Sequence, residues 1–161
     1  MESLESYPAS RLDDRSRRAW AELCARHAPA LDAVADEARL VHADFNPKNL
    51  LVASEESGWR VAAVLDWEFS FSGCPYADAA NMMRFAGGYP PAYPAAFTEA
   101  FAACQPPDLP PPASWLYLGR VFDMFALSDL VTRPAGHAVA DEAAAVIRSW
   151  LESGVPDAVS Q

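Results

Sequence analysis

Cysteine and histidine are scarce in this sequence of 161 residues, and each occurs only three times. Cys24, Cys74 and Cys104 are widely separated, and none belongs to a CxxC or a Cys/His pattern. Zinc sites need several such ligands at short spacing, and a disulfide framework needs an even set, so both are disfavoured. Reduced thiols of this kind are typical of a cytoplasmic protein.

Long apolar runs are also missing. No uninterrupted stretch reaches the length that spans a bilayer, and the first thirty residues carry acidic residues and arginines instead of an apolar signal core. These absences argue against a membrane protein and predict a soluble protein of the cytoplasm.

Positive charge is limited, with 12 Lys and Arg residues against 22 Asp and Glu residues and a net charge of -10. Such a chain repels nucleic-acid phosphates and anionic membranes, so neither is an expected partner. The charge favours a cationic small molecule only where carboxylates line a cleft. A solvated acidic surface is the alternative explanation.

Enough apolar material is present for one folded domain. Hydrophobic residues make up 52% of the chain, and a chain of this length can bury roughly two-thirds of its unfolded surface. We expect a single domain over residues 1–155 and a frayed tail over 156–161.

Helical periodicity dominates the pattern. Apolar residues at three- and four-residue steps predict helices over about 10–27, 31–38, 78–84, 92–104 and 138–151, and a longer helix after residue 114. Asp78 and Ser114 are candidate N-caps, because their side-chain oxygens can accept from the first free N–H groups of a helix.

Strand patterns are confined to residues 40–65. A brief apolar run at 40–42 is followed by two runs, at 50–52 and 61–65, which flank a polar turn that ends in Gly58. Two such runs around a polar turn predict a β-hairpin. The predicted fold class is α+β and helix-dominated, with helices around one small β-hairpin.

A polar motif lies between the first strand and the hairpin. His42, Asp44 and Asn49 have the spacing His-x-Asp-x-x-x-x-Asn. In phosphoryl transfer an aspartate can accept the proton of the attacking hydroxyl, and an asparagine five residues later can ligate magnesium through its carbonyl oxygen. Asp44 is therefore the candidate catalytic base, and Asn49 is a candidate metal ligand.

A second carboxylate, Asp66, ends the apolar run after the hairpin. Mg²⁺ prefers oxygen ligands and keeps several waters, so Asn49 and Asp66 with nucleotide phosphates would complete a suitable shell. We expect these two residues to face each other across a cleft while Asp44 stays free of metal.

Both motifs resemble those of the aminoglycoside phosphotransferases, with Ala43 in place of the glycine common in their loop. The stretch from Leu65 to Ala80 also resembles that of choline kinases. The resemblance covers residues 40–86 strongly and implies a protein-kinase-like C-terminal lobe whose hairpin carries the catalytic and metal-binding loops. It further implies Mg²⁺-dependent transfer of the γ-phosphoryl group of ATP or GTP to a hydroxyl of a small molecule, such as an aminoglycoside or a choline-like alcohol.

Several neighbours of the motifs have expected supporting roles. His42 is expected to brace the loop through its two nitrogens rather than to act as base. Lys48, the only lysine, either approaches the nucleotide phosphates or lies in solvent. Glu68 either supports the metal from outside its ligand shell or is simply an exposed carboxylate. Asp78 is expected to support the catalytic loop as well as to cap a helix.

The acceptor is left open by the sequence. Aromatic residues around Asp123 either frame a cationic acceptor through cation–π contacts or belong to the core, which their helical spacing favours. These aromatic residues are Trp115, Tyr117, Phe122 and Phe125.

Residues 1–43 contain neither glycine nor lysine. Two-lobed kinases hold ATP under a Gly-rich hairpin and pair its phosphates with a strand lysine, both N-terminal to the catalytic loop. We therefore expect the ATP-grasping N-terminal lobe to be absent and the isolated chain to be a weak or inactive kinase. The chain is then a fragment, a degenerate enzyme, or half of a split enzyme whose partner supplies the missing lobe.

The main alternative is a non-catalytic binding or regulatory module that keeps the kinase scaffold and forms a homodimer through apolar surface. A metal-dependent hydrolase is disfavoured, because the sequence offers neither a histidine cluster nor an obvious second histidine ligand.

Overall fold

Helices make up most of the structure, a computed structural model that describes residues 11–56, 58–107, 111–134 and 136–158. The α-helices of this part are α1 (Asp14–His27), α2 (Tyr76–Met83), α3 (Ala92–Ala103), α4 (Trp115–Leu130) and α5 (Ala138–Ser153). Short 3₁₀ helices cover Ala28–Val34, Pro47–Asn49, Trp67–Phe69 and Ala86–Gly88. Over the described ranges, no helix is long and apolar enough to cross a membrane.

The predicted helices agree closely with those observed. The helices expected at 92–104 and 138–151 are confirmed as α3 and α5, and the one expected at 31–38 is the 3₁₀ helix Ala28–Val34. Helix α1 begins at Asp14 because Asp13 caps it and accepts from the N–H of Ser16 at 2.7 Å. Ser10, the expected start of this helix, lies outside the described residues.

The two predicted N-caps have different outcomes. Ser114 is confirmed at the N-cap position of α4, although its side chain makes no capping hydrogen bond, and the prediction for Asp78 is wrong. Asp78 lies in the first turn of α2, whose N-cap position is Pro75. Aspartate is favoured both at the N-cap and in the first turn of a helix, so sequence preference alone does not separate the two positions.

Two separate two-stranded antiparallel sheets are present in the described part. The predicted hairpin is confirmed as β2 (Leu50–Glu55) paired with β3 (Gly58–Val64). The other sheet pairs β1 (Arg39–Val41) with β4 (Phe71–Gly73). Strand β4 was not predicted, because three residues that end in glycine are too short to show alternation.

The two sheets together position the loops that carry the motifs. One loop connects β1 to β2 and the other connects β3 to β4. Val41 pairs with Phe71 at one end of both loops, and Leu50 pairs with Val64 at the other. The expectation that the hairpin alone carries these loops is therefore corrected, since each loop is held between two strand pairs.

Buried apolar side chains form two clusters among the helices. The first joins α1, α4 and α5 and includes Trp20, Val121, Leu127, Ile147 and Trp150. The second joins α2 to α4 and includes Tyr76, Ala79, Trp115 and Leu118. Gly119 permits this close packing, because a Cβ there would lie 3.3 Å from the carbonyl oxygen of Tyr76. Helix α2, which carries Asp78, is thus fixed against the core.

The last described residues contact α4. Val155 is buried in the first cluster, and the carboxylate of Asp157 accepts from Nε of Arg120 at 3.2 Å. Residues 159–161 of the expected frayed tail lie outside the described residues.

Candidate functional site

The catalytic loop contains a residue in an unfavourable backbone conformation. Ala43 has a φ of 71°, in the left-handed region, where a Cβ costs roughly 1–2 kcal/mol. The loops that this segment resembles commonly have glycine at this position, and glycine adopts such a φ without that cost. The loop therefore adopts this conformation at a cost in free energy, and contacts with neighbouring residues must compensate for that cost.

His42 is one of the groups that hold the loop. Its side chain is buried, with 2% of its surface exposed. Nδ1 accepts the N–H of Asp44 at 3.2 Å, so Nε2 carries the proton that is donated to the carbonyl oxygen of Leu65 at 2.7 Å. The ring also packs against Trp67, with centroids 4.6 Å apart. His42 thus holds the catalytic loop in position through both ring nitrogens, which agrees with the bracing role expected for it.

Asp78 holds the same loop from α2. Its carboxylate accepts from the backbone N–H of His42 at 2.8 Å and from that of Ala43 at 2.9 Å. Burial raises the pKa of Asp78 above its ordinary value, while the two hydrogen bonds oppose the rise. Asp78 therefore does not cap a helix, but it supports the catalytic loop, as expected, by tying α2 to the two residues before Asp44.

The carboxylate of Asp44 is oriented by two asparagines. Nδ2 of Asn46 donates to one carboxylate oxygen, and Nδ2 of Asn49 donates to the other, both at 3.0 Å. Each amide also donates to the Asp44 carbonyl oxygen at 2.9 Å. Asn46, which the sequence analysis did not single out, additionally starts the 3₁₀ helix Pro47–Asn49 by accepting from Lys48 N–H. The signal that could have identified Asn46 is its position in the motif, between Asp44 and Asn49.

Asp66 comes to the same end of the hairpin as Asn49. The N–H of Leu65 donates to the carbonyl oxygen of Asn49 at 2.9 Å, so the residue before Asp66 is bonded directly to Asn49. Asp66 has a left-handed φ of 64°, which turns the chain away from β3. Asp66 and Asn49 are therefore neighbours, whereas 17 positions separate their numbers in the chain.

The free oxygen atoms near this turn suit a hard cation. Asn49 uses its amide nitrogen toward Asp44, which leaves Oδ1 without a hydrogen bond within the described ranges. The exposed carboxylate of Asp66 likewise has no partner there. In the described part, no group of three or more His, Cys, Asp or Glu side chains could hold a metal. A cation with two oxygen ligands from the protein and further ligands from water and phosphate would fit these residues.

A cleft of about 580 Å³ opens beside the catalytic loop. Its walls come from the loop, from α2 and the segment after it, and from α4 and α5. Charged and polar lining residues include Asp44, Lys48, Asn49, Arg84, Arg133 and Glu142. Asp66 and Glu68 are exposed and are not among the residues that line this cleft.

A buried ion pair connects the cleft to the core. Nε of Arg84 donates to Oδ1 of Asp123 at 2.5 Å, while Oδ2 of Asp123 is buried without a partner in the described part. Burial raises the pKa of Asp123 to about 6, although the Arg84 charge opposes the rise. Arg84 also donates to Oδ1 of Asn81, whose amide donates to the Ala43 carbonyl at 2.9 Å. Arg84 and Asn81 carry no local signature in the sequence, so neither was predicted as a site residue.

The aromatic residues around Asp123 do not frame the cleft. Trp115 is buried and stacks on Phe101 with centroids 4.5 Å apart, so its assignment to the core is confirmed. Phe125 is 64% exposed but lines a separate apolar pocket between α1 and α4. The aromatic residues that do line the cleft are Phe85 and Tyr89.

Comparison with known proteins agrees with this geometry. A family model described as the phosphotransferase enzyme family, APH, matches residues 2–115. A thermostable mutant of aminoglycoside phosphotransferase APH(4)-Ia, solved in a ternary complex with AMP-PNP and hygromycin B, matches with a TM-score of 0.61 and 20% identity. That match covers 89% of this chain and 46% of the other chain, and it shows the kinase-like fold.

A shorter match occurs to acyl-CoA dehydrogenase family member 11 of Gallus gallus, which is 46% identical over 50 residues. These residues make up 31% of this chain and 6% of that protein. The chain thus spans less than half the length of both relatives. The family model covers far more than half of the chain and includes both motifs, and the chain belongs to the phosphotransferase enzyme family.

Proposed function

We propose that this chain is the catalytic half of a phosphotransferase that moves the γ-phosphoryl group of ATP, or of GTP, to a hydroxyl of a small molecule with the help of Mg²⁺. The observation that supports the proposal is a chain of two hydrogen bonds: Asn49 donates to the carboxylate of Asp44, and the N–H of Leu65, the residue before Asp66, donates to the carbonyl oxygen of Asn49. Family membership supports the reaction class, and the cleft beside Asp44 is large enough for a small acceptor.

Asp44 is proposed as the catalytic base. Its carboxylate lines the cleft and is held at both oxygens by the amides of Asn46 and Asn49. An acceptor hydroxyl in the cleft would pass its proton to this carboxylate as its oxygen attacks the γ-phosphorus. The supports from His42 and Asp78 matter because positioning supplies much of the rate in phosphoryl transfer.

Asn49 and Asp66 would hold Mg²⁺ through the oxygens that have no protein partner. When bound, the ion neutralises phosphate charge. Lys48 extends into the cleft, and its ammonium has no partner within the described ranges, so a phosphate oxygen is a suitable one. Glu68 is an exposed carboxylate two residues after Asp66, and its supporting role stays a prediction.

We further propose that a nucleotide-binding half, on the same polypeptide or on a partner, covers the apolar face beside this site. Nine of the eleven exposed large hydrophobic residues in the described part lie between positions 40 and 71. They are Leu40, Leu51, Val52, Trp59, Val61, Leu65, Trp67, Phe69 and Phe71. So many exposed apolar side chains on the two strand pairs and on the loop between them are more than a solvent-facing surface usually carries, and an interface would cover them. The solved relative contains as much chain again beyond the matched part, which is sufficient for such a half.

Nucleotide titration followed by ¹⁵N NMR tests the metal site. We expect ATP to shift the amide signals around Asn49 and Asp66 when Mg²⁺ is present and to shift them far less without it. Asp66→Asn should remove this dependence, whereas Asp36→Asn, an exposed carboxylate elsewhere, should keep it. Equal shifts with and without Mg²⁺ in the unchanged chain would contradict the proposal.

Light scattering tests what covers the apolar face. A monomer that becomes a one-to-one complex with an added nucleotide-binding half of a family member supports the proposed interface. A stable dimer that Trp59→Ser and Val61→Ser dissolve would instead favour the homodimeric module. A monomer that also fails to bind the added half would contradict the interface.

A further inference from the structure

More cationic than acidic side chains line the cleft, although the chain as a whole is acidic. The whole chain carries a net charge of -10, yet three cationic side chains line the cleft against two acidic ones. The cationic residues are Lys48, Arg84 and Arg133, and the acidic residues are Asp44 and Glu142. An acidic composition would favour a cationic acceptor only if carboxylates lined the cleft. This cleft does not meet that condition.

Arg84 is the cation that is built into the cleft wall. Only 11% of its side-chain surface is exposed, and Asp123, to which it is bonded, has none. Its Nε donates to Asp123 and its Nη2 to Asn81, which leaves Nη1 without a hydrogen-bond partner in the described part. A guanidinium held on two sides keeps the N–H groups of Nη1 in a fixed direction, from which they can donate to a carboxylate oxygen.

The bonding of Arg84 also ties it to the proposed base. Asn81 accepts from Arg84 and donates to the carbonyl of Ala43, the residue before Asp44. One side chain thus connects the guanidinium to the catalytic loop, and both Arg84 and Asp44 line the same cleft. A single small molecule in this cleft can place a hydroxyl at Asp44 and an anionic group at Arg84.

A polycationic acceptor has little to bind here. If Asp44 serves as base, Glu142 is the acidic side chain left among the cleft residues, and it is exposed. An ammonium group would instead lie near Arg84, whose free N–H groups cannot accept a hydrogen bond from it. The wall therefore favours an acceptor group that accepts hydrogen bonds over one that only donates them.

We propose that Arg84 is a specificity-determining residue that binds a carboxylate of the acceptor, so the acceptor is a small hydroxy acid. The inference rests on the proposed function for the role of Asp44, and it adds the substrate class.

Three probes of matched length test it: 5-hydroxypentanoate, 5-hydroxypentanamide and 5-amino-1-pentanol. They share a terminal hydroxyl and differ in the charge of the other end. Binding to the full chain is followed by ¹⁵N NMR without nucleotide or metal. We expect the acid to bind about tenfold more tightly than the amide, as a charge-assisted hydrogen bond predicts, and the amine to bind most weakly.

Variants assign the preference to one residue. Arg84→Gln should abolish the preference for the acid, and Arg18→Gln, at an exposed arginine of α1 that does not line the cleft, should retain it. Because Arg84→Gln leaves Asp123 buried without its cation, the double variant Arg84→Gln with Asp123→Asn serves as a second test, and thermal melting checks that each variant is folded.

Three results would overturn the inference: no binding of the acid, equal binding of acid and amine, or an unchanged preference in the folded double variant. The assay needs neither ATP nor Mg²⁺. A retained acid preference with no Mg²⁺-dependent ATP shifts would therefore count against the proposed function alone, and the reverse pattern against the hydroxy acid alone.

Discussion

The imidazole of His42 joins the two loops of the site, since Nε2 lies 2.7 Å from the carbonyl oxygen of Leu65 and Nδ1 accepts the N–H of Asp44. Leu65 precedes Asp66, so one buried ring sets the spacing between the proposed base and the proposed metal ligand. The contribution of His42 to this connection can be measured as a change in the free energy of unfolding.

Replacing His42 by alanine should lower the free energy of unfolding by about 3 kcal/mol, because it removes two hydrogen bonds and leaves a cavity beside Trp67. Urea unfolding measures the change. His137→Ala is the matched control, because His137 is exposed and should tolerate the substitution. An equal cost for the two variants would contradict the bracing role.

Ala43→Gly should raise the free energy of unfolding by about 1 kcal/mol. Glycine removes the strain of a φ of 71° and loses part of the gain to its greater freedom in the unfolded chain. Ala53→Gly in strand β2 should do the opposite, because it only adds that freedom. Thermal and urea unfolding compare the two variants, and a destabilised Ala43→Gly protein would argue against the left-handed conformation.

Asp78→Asn should loosen the catalytic loop. An amide offers one oxygen acceptor where the carboxylate offers two, so either His42 or Ala43 loses the partner of its N–H. Charge-assisted bonds of this kind contribute about 1.5–3 kcal/mol. Hydrogen exchange of these two amides should accelerate roughly ten- to a hundredfold, while amides in α5 exchange as before. Unchanged exchange at both sites would show that Asp78 does not hold the loop.

Asp123 should make stability depend on pH. Its pKa is raised from 3.8 to about 6, so between these pH values the folded protein binds more protons than the unfolded chain. The free energy of unfolding contributed by this group therefore falls as pH rises through the window, by about 3 kcal/mol in full.

Urea unfolding at pH values from 3.5 to 7.5 measures this effect. Asp123→Asn removes the titrating group, so the difference in stability between the unchanged chain and the variant should fall as pH rises. A difference that rises with pH for Asp123→Asn would show a lowered pKa.

Asp44→Asn should lower phosphoryl transfer by a factor of about 10²–10⁴, the usual contribution of a general base. The assay combines the chain with a nucleotide-binding half, ATP, Mg²⁺ and a hydroxyl acceptor, and detects the phosphorylated product by mass spectrometry. Asp36→Asn should transfer at the unchanged rate. If Asp44→Asn is as active as the unchanged chain, Asp44 is not the base.

Local patterns predicted a large part of the site. His42, Asp44 and Asn49 lie within eight residues, so strand, loop and hairpin patterns around them were enough to place them together. Asp66 followed from the same hairpin, because pairing of Leu50 with Val64 brings the two strand ends together. Strand β4 was not predicted from the sequence, because its partner β1 lies 32 positions earlier and both strands are short.

The positions of Asp78, Asn81, Arg84 and Asp123 could not be predicted to the same extent. Asp78 was expected to support the catalytic loop from a helix N-cap, but it lies in the first turn of α2, and the loop residues that it bonds, 35 and 36 positions earlier, were not predicted. Asp123 was grouped with aromatic residues as part of a core or an acceptor frame, whereas it pairs with Arg84 across 39 residues. Such contacts depend on how α2 packs against α4, where Gly119 allows the close approach.

The amino-acid sequence alone determined the family, the hairpin and the order of the polar residues, because these depend on spacing within a few turns of chain. The tertiary structure decided which side chains brace the catalytic loop and that the cleft carries cations in an acidic protein. Helix packing brings residues from distant segments to one wall, and the charge of a wall is set by those neighbours rather than by the composition of the chain.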